Sequence, residues 1–204
     1  MTPIARLPQA FRRFSKCGGV LSFAAFEESR GDEPDLLEAM AAVLPDLDKE
    51  RLLSLGGRPI RERRFFGDWY DHATGALLMR GSYTTADGRA LRDPQLRKLD
   101  RSRIMSGVAP GVDPGSGGQF AYAFSNPPYG LRARGSEIQA LFDEIRDFIL
   151  PPGERSEILD WSSPRLPEVS AYFGMGMEWW GVFLFTIHVP ATGRLTAIAG
   201  STSD

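Results

Sequence analysis

Residues 182–187 read Val-Phe-Leu-Phe-Thr-Ile, and residues 190–193, Pro-Ala-Thr-Gly, follow after only two more positions. The first run is apolar at successive positions, which is typical of a central strand that is covered on both faces. The proline, threonine and glycine of the second run favour a tight turn. With residues 194–202 they predict a β-hairpin over about 179–202, one of two hairpins from which we expect a sheet to be built.

The other hairpin is predicted over about 60–85. Its turn, Asp71-His72-Ala73-Thr74-Gly75, has glycine at its end, which suits a type I turn followed by a bulge. Both turns contain Ala-Thr-Gly, and either a duplication or repeated use of one turn chemistry explains this. The basic residues of the first strand are interpreted as a solvated strand face; they are Arg61, Arg63 and Arg64.

A further strand is predicted at 119–125, because residues 120–124, Phe-Ala-Tyr-Ala-Phe, alternate bulky and small side chains. Pro127 and Pro128 end this pattern, since proline cannot donate to a strand ladder. The segment before it, residues 107–118, contains five glycines and two prolines. A loop of this length and composition indicates a lid, a hinge or a domain seam.

Amphipathic helices are predicted over about 34–44, 47–55 and 136–150. Aspartate and proline at the start of the first, and the glycine pair after the second, are typical helix boundaries. Ser136 and Gln139 match a capping box at the start of the third. The predicted fold is therefore α+β: a mainly antiparallel sheet built from the two hairpins and the strand at 119–125, with these helices packed on it.

The composition sets broad limits on organisation and location. A chain of 204 residues fits a single domain spanning 1–204, in which 1–57 could form a helical N-terminal subregion. Its net charge of −2 and pI of about 5.8 make nucleic acid an unexpected partner. The lone cysteine, Cys17, excludes an internal disulfide and suits a reducing compartment. No apolar run has the length of a membrane span or a secretory signal, so we predict a cytoplasmic protein without membrane contact.

The sequence contains no complete set of catalytic residues. It has neither a phosphate-binding loop nor a nucleophile elbow, and its two histidines, His72 and His188, lie in different hairpins. We expect His72 to be exposed beside a turn-capping Asp71, and His188 to be half-exposed near a hairpin tip. No catalytic residue, metal site or cofactor is predicted from these patterns.

Asn126-Pro127-Pro128-Tyr129 resembles the Asn-Pro-Pro-Tyr motif of the amino-methyltransferases that methylate adenine N6. In that family the motif follows a strand, its asparagine and first proline carbonyl accept from the exocyclic amine, and its tyrosine stacks on the flipped base. The resemblance implies S-adenosylmethionine as cofactor, with Asn126 and Tyr129 in those roles. The chain departs from the family at residues 112–118, a glycine-rich stretch that lies too close to Asn126 for a parallel crossover.

Aromatic residues near the last hairpin form the other candidate site. Trp179 and Trp180 are adjacent in the predicted strand, so they should face opposite sides and leave one away from the core. With Glu178 and Tyr172 they predict a binding surface for another protein or a small aromatic ligand. Burial of both tryptophans under helices is the alternative.

Two functional hypotheses follow. The first is a soluble, cytoplasmic, non-enzymatic binding protein, such as an inhibitor or an immunity-type partner of another protein. The alternative is an S-adenosylmethionine-dependent amino-methyltransferase-like enzyme that uses residues 126–129. The candidate binding residues are Asn126, Tyr129, Tyr172, Glu178, Trp179 and Trp180. The sequence does not decide the oligomeric state.

Overall fold

A computed structural model describes residues 1–202 and shows an α+β fold. The strands are β1 (Thr2–Pro3), β2 (Ser22–Glu27), β3 (Arg58–Ile60), β4 (Tyr70–Asp71), β5 (Ala76–Leu77), β6 (Ser82–Thr85), β7 (Ala90–Arg92), β8 (Ile104–Val108), β9 (Glu157–Asp160), β10 (Val182–Val189) and β11 (Arg194–Ser201). The α-helices are α1 (Gln9–Lys16), α2 (Glu33–Val43), α3 (Lys49–Leu55), α4 (Glu62–Phe66), α5 (Phe120–Ser125), α6 (Gly135–Ile149) and α7 (Gly176–Trp179). Short 3-10 helices lie at Leu96–Lys98, Leu166–Glu168 and Ala171–Phe173.

The main sheet has six strands in the order β1-β2-β11-β10-β9-β3, and each neighbouring pair is antiparallel. Its centre is the hairpin β10–β11, paired from Val182 opposite Ser201 to Val189 opposite Arg194. The hairpin predicted at 179–202 is thus confirmed. Its first strand begins at Val182 rather than at 179, because the preceding residues form α7.

Both faces of the main sheet are covered. Phe183, Phe185 and Ile187 pack into a cluster with α1, α4, α5 and α6, whereas Val182 and Leu184 pack with α2, α3 and the 3-10 helices at 166–173. Every residue of β10 is buried, as predicted for a central strand. Each large side chain so removed from water contributes roughly 1.5–3 kcal/mol to folding.

The three predicted helices are confirmed as α2, α3 and α6. Asp32 and Asp48 cap the first two by accepting from Asp35 N at 3.3 Å and Arg51 N at 2.9 Å.

The predicted capping box of α6 is wrong. This helix begins one residue earlier, and the Glu137 carboxylate accepts from Arg134 N at 2.9 Å. Gln139 is buried instead, and its Oε1 accepts from Leu77 N of β5 at 2.8 Å. The side chain therefore satisfies a strand end that lies 62 positions away in sequence, which a local motif cannot reveal.

The strand predicted at 119–125 is wrong, because these residues form α5. Gln119 turns the chain with a left-handed φ of 67°, and all side chains from Phe120 to Phe124 are buried. Alternation of large and small residues also puts Phe120 and Phe124 four apart, on one helical face. Both rings pack on Phe142 of α6, with centroids at 5.9 and 5.2 Å. Because the segment is fully enclosed, it has no polar face, and its sequence does not distinguish the helical repeat from the strand repeat.

The hairpin predicted at 60–85 is only partly present. The turn exists, but it joins the two-residue strands β4 and β5, which form a small sheet of their own. Strand β6 pairs instead with β7 and β8. Residues 62–66 are helical, so the solvated strand face predicted for the arginines is also wrong. Phe65 and Phe66 are both buried, and a helix docked in the core accommodates two adjacent buried rings.

The glycine-rich segment is held in its second half by Asp160, whose side chain is 1% exposed. Oδ2 of Asp160 accepts from Gly118 N at 2.9 Å, and Oδ1 accepts from Ser162 N at 2.9 Å. Gly117 packs so closely on Asp160 and Arg58 that no Cβ would fit there. Whether the first half acts as a lid or a hinge stays a prediction.

Residues 1–57 contribute β1 and β2 to the main sheet and α2 and α3 to one of its covering layers. The stretch is therefore not a purely helical subregion. The organisation of 1–204 as a single domain stays a prediction.

Asp160→Ala should lower the free energy of unfolding by at least about 2 kcal/mol, since it leaves two buried N–H groups without an acceptor. Urea unfolding followed by circular dichroism measures this. Asp113→Ala, an exposed carboxylate of the same loop, is the control and should change stability by less than about 0.5 kcal/mol. Equal losses in the two variants would contradict the assigned role of Asp160.

Asp35 should make stability depend on acid pH. Hydrogen bonds from Arg30 N at 2.7 Å and Ser29 Oγ at 2.8 Å lower the pKa of its carboxyl. Because the unfolded chain then binds the proton more tightly, this stabilisation is present above the unfolded pKa of about 3.9 and is lost as pH falls through the folded pKa. Urea unfolding at pH 2–6 should show a shallower acid loss for Asp35→Asn, whereas Glu33→Gln, exposed in the same helical turn, should follow the wild type.

Candidate functional site

Two of the predicted binding residues, Asn126 and Trp180, meet at the start of the central hairpin. Trp180 follows α7, is 3% exposed, and packs on Phe183 with ring centroids at 5.0 Å. Its Nε1 donates to the Asn126 carbonyl at 2.7 Å, while its own carbonyl accepts from the Tyr122 hydroxyl at 3.2 Å. Burial raises the pKa of Tyr122, which keeps that hydroxyl a donor. These contacts join the end of α5 to the start of β10.

Trp179, in contrast, is 69% exposed. One tryptophan therefore faces away from the core, as predicted, but the reason is different: Trp179 ends a helix and Trp180 follows it, so strand alternation plays no part. Met175, 62% exposed, and the exposed Glu178 lie on the same short segment. We call Met175, Glu178 and Trp179 the Trp179 surface.

The backbone beneath the Trp179 surface is fixed by hydrogen bonds to the hairpin. Gly176 N donates to Ser201 Oγ at 3.2 Å, and Gly181 N donates to the Gly176 carbonyl at 2.8 Å. Gly176 itself is buried against Ser201, and a Cβ there would collide with it. The exposed indole thus extends from an anchored segment.

Tyr172 lies inside this end of the molecule and not on the Trp179 surface. It is partly buried, its hydroxyl accepts from Ser201 N at 3.2 Å, and burial raises its pKa. Tyr129 is 75% exposed on the loop after the buried Pro127. The predicted set is therefore divided between the buried Trp180 with the partly buried Asn126 and Tyr172, and the exposed Tyr129, Glu178 and Trp179.

The local context of Asn126-Pro127-Pro128-Tyr129 differs from that of the amino-methyltransferases. The motif follows a helix, α5, and not a strand. Strand pairs within residues 1–202 are antiparallel, whereas the resemblance implies a parallel crossover. Trp180 Nε1 donates to the backbone carbonyl of Asn126 and not to its side-chain amide.

Sequence reasoning missed a second candidate site, an open cleft of about 1140 Å³ between β3, α4 and the β4–β5 turn. We call it the arginine cleft. Its ionisable side chains include three arginines, two aspartates and a histidine; they are Arg61, Arg63, Arg64, Asp68, Asp71 and His72. The sequence feature that could have revealed this cleft is the spacing of Arg61 and Arg64, which are neighbours only if the segment is helical.

The carboxylates of the arginine cleft are engaged by neighbouring groups. Asp68 Oδ1 accepts from Gln119 Nε2 at 2.7 Å, and its Oδ2 lies 3.8 Å from an Arg80 nitrogen. Asp71 accepts from the Thr74 hydroxyl at 2.5 Å and from Ala73 N at 3.0 Å, and these bonds lower its pKa. Asp71 therefore caps the turn, as predicted.

The arginines of the cleft are less committed. Arg64 Nη2 donates to the Ser116 carbonyl at 2.8 Å. Arg61 and Arg63 are exposed, and their side chains have no ion pair or hydrogen bond within residues 1–202. The cleft therefore presents uncompensated positive charge in a protein whose net charge is −2.

The two histidines differ. His72 is exposed, as predicted, and its ring meets Tyr70 edge-on with centroids at 5.0 Å. His188 is buried, so the prediction that it is half-exposed is wrong. Gly31 packs on the His188 ring, and Nε2 of His188 lies 3.2 Å from the Ser29 carbonyl. The loop between β2 and α2 covers the hairpin tip, a long-range contact that the sequence does not show.

Residues 1–202 contain no group of three or more histidine, cysteine, aspartate or glutamate side chains placed to hold a metal ion. None of the helices in that part of the chain has the length and apolar character needed to cross a bilayer. Comparison with models of known families, with curated proteins and with solved structures finds no match.

Trp180→Phe should lower the free energy of unfolding by about 1–2 kcal/mol, because it removes the donor to the Asn126 carbonyl while keeping a large ring. Thermal and urea unfolding measure the change. Trp179→Phe, the adjacent and exposed position, should stay within about 0.5 kcal/mol of the wild type. A loss at Trp179 as large as that at Trp180 would contradict the assignment of anchor and surface.

Proposed function

We propose that the protein is a cytoplasmic, non-enzymatic binding protein of the inhibitor or immunity type, which contacts another protein through the Trp179 surface. The observation that carries this proposal is the 69% exposure of Trp179 directly beside the anchored Trp180. Tryptophan is enriched among the residues that contribute most to protein–protein binding, because its large ring buries much area with few rotatable bonds.

The anchoring of α7 supports the same proposal. Binding costs free energy when side chains and loops must be ordered. The hydrogen bonds of Gly176 and Gly181, together with that from Trp180 Nε1 to Asn126, hold the backbone before a partner arrives. Only the Trp179, Met175 and Glu178 side chains then need ordering. Glu178 supplies a charge that would favour a basic group at the rim of the partner.

The amino-methyltransferase hypothesis rests on the four residues of the motif. A titration with S-adenosylmethionine in a calorimeter tests it directly. Binding that Asn126→Ala abolishes would replace our proposal with an enzymatic one. The absence of heat at millimolar ligand would remove the alternative.

Trp179→Ala should abolish capture of a stoichiometric partner from the native lysate while leaving the unfolding midpoint unchanged, since the side chain is solvent-exposed. Affinity purification followed by mass spectrometry measures this, and the complex should be reconstituted from purified components. Met105→Ala is the control, because Met105 is 59% exposed on β8, a strand of a different sheet. Failure of the wild type to retain any partner, or equal retention by Trp179→Ala, would refute the proposed surface.

A further inference from the structure

We infer that the arginine cleft binds a small molecule that combines a phosphate group with a planar ring, the chemistry of a nucleotide. The cleft volume, about 1140 Å³, is above the usual 300–1,000 Å³ of ligand sites and accommodates a molecule of this size. The arginine cleft is separate from the Trp179 surface, and ligand binding in it does not depend on the proposed protein partner.

The cleft has three arginines and two aspartates, so its net charge is positive and favours an anionic ligand. Arg61 and Arg63 are unpaired within residues 1–202, and Arg64 donates one hydrogen bond, to the Ser116 carbonyl. Guanidinium groups bind phosphate oxygens in bidentate geometry, and they remain charged at every physiological pH. Neither cleft aspartate forms an ion pair with these arginines within residues 1–202, since Asp68 faces Arg80 at 3.8 Å and Asp71 accepts from Thr74 and Ala73.

Aromatic side chains line the same cleft and provide a surface for the planar ring of the ligand. Tyr70 is half-buried, and its hydroxyl lies 3.2 Å from Arg146 Nη1, which fixes the ring in place. His72 stands edge-on to Tyr70 and is exposed to the cleft. With Ile60 and Leu78 they form an apolar wall. A planar ligand ring packs on such a wall while its phosphate meets the arginines.

An acidic peptide is a poorer fit for this cleft. The adjacent edge of the main sheet is β3, the natural place for an extended peptide to add as a strand. Its middle residue, Pro59, has no N–H to donate to such a strand. A concave, charged cleft beside a blunted edge therefore favours a compact ligand.

The test is a calorimetric titration of the full chain with ATP, with tripolyphosphate, and with hexaglutamate. We expect ATP to bind more tightly than tripolyphosphate, and binding to weaken as salt rises. The Arg61→Gln/Arg63→Gln double variant should lose at least about tenfold in ATP affinity. His72→Ala should weaken ATP binding but leave tripolyphosphate binding unchanged.

The matched control is Arg12→Gln/Arg132→Gln, which removes the same charge from exposed positions outside the cleft and should bind ATP like the wild type. Circular dichroism should show all variants folded. Equal affinity for ATP and tripolyphosphate would overturn the ring site, and tighter binding of hexaglutamate would overturn the ligand class. Equal loss in both double variants would show a general charge effect and overturn the cleft. Trp179→Ala should bind ATP normally. A failure of the nucleotide site can therefore be distinguished from a failure of the protein-binding proposal.

Discussion

Burial of β10 on both faces is the constraint on which the rest of the architecture depends. All eight residues of this strand are buried, and both of its edges are paired, with β9 and β11. Two polar side chains of the strand, although buried, have polar partners. Thr186 Oγ1 accepts from Trp161 Nε1 at 3.0 Å, and His188 lies against the Ser29 carbonyl. A strand of this kind is stable only if helices cover both faces, because phenylalanine and leucine side chains would otherwise contact water on each side. The two helical layers follow from it.

The same constraint decides where binding can occur. With the faces of the main sheet covered, the accessible positions are the strand ends and the outer edge. The Trp179 surface lies where β10 begins and β11 ends, and the arginine cleft adjoins β3 at the sheet edge. Both candidate sites are therefore built on short helices, α7 and α4, that immediately precede or follow a strand of this sheet. The adjoining strands hold these helices in place, while Trp179 of α7 and Arg63 of α4 stay exposed.

How far the fold was predictable depended on the range of the interactions that decide each element. The central hairpin, α2, α3 and α6 have local signals, namely apolar periodicity and caps such as Asp32, and these predictions hold. Segments enclosed on all sides, such as residues 120–124, lack a polar face, so helix and strand periods could not be told apart. The candidate sites depend on contacts that span the chain, including Trp180 with Asn126, 54 positions apart, and Gln119 with Asp68, 51 positions apart. The exposure of one tryptophan was predicted, but from a strand alternation that is absent here. The cleft could not be predicted, because it required α4 to be a helix.

The hydrogen bonds to Asp71 make it poorly suited to act as a general base in the arginine cleft. A general base works best when its pKa lies near the working pH, and enzymes raise carboxylate pKa values by burial to achieve this. Asp71 is displaced in the opposite direction, because the Thr74 hydroxyl and Ala73 N donate to it and lower its pKa. A carboxylate so held accepts hydrogen bonds and takes up a proton only at acid pH. In this cleft Asp71 is thus suited to hold charge rather than to exchange protons, and the arginines beside it are suited to recognise an anion.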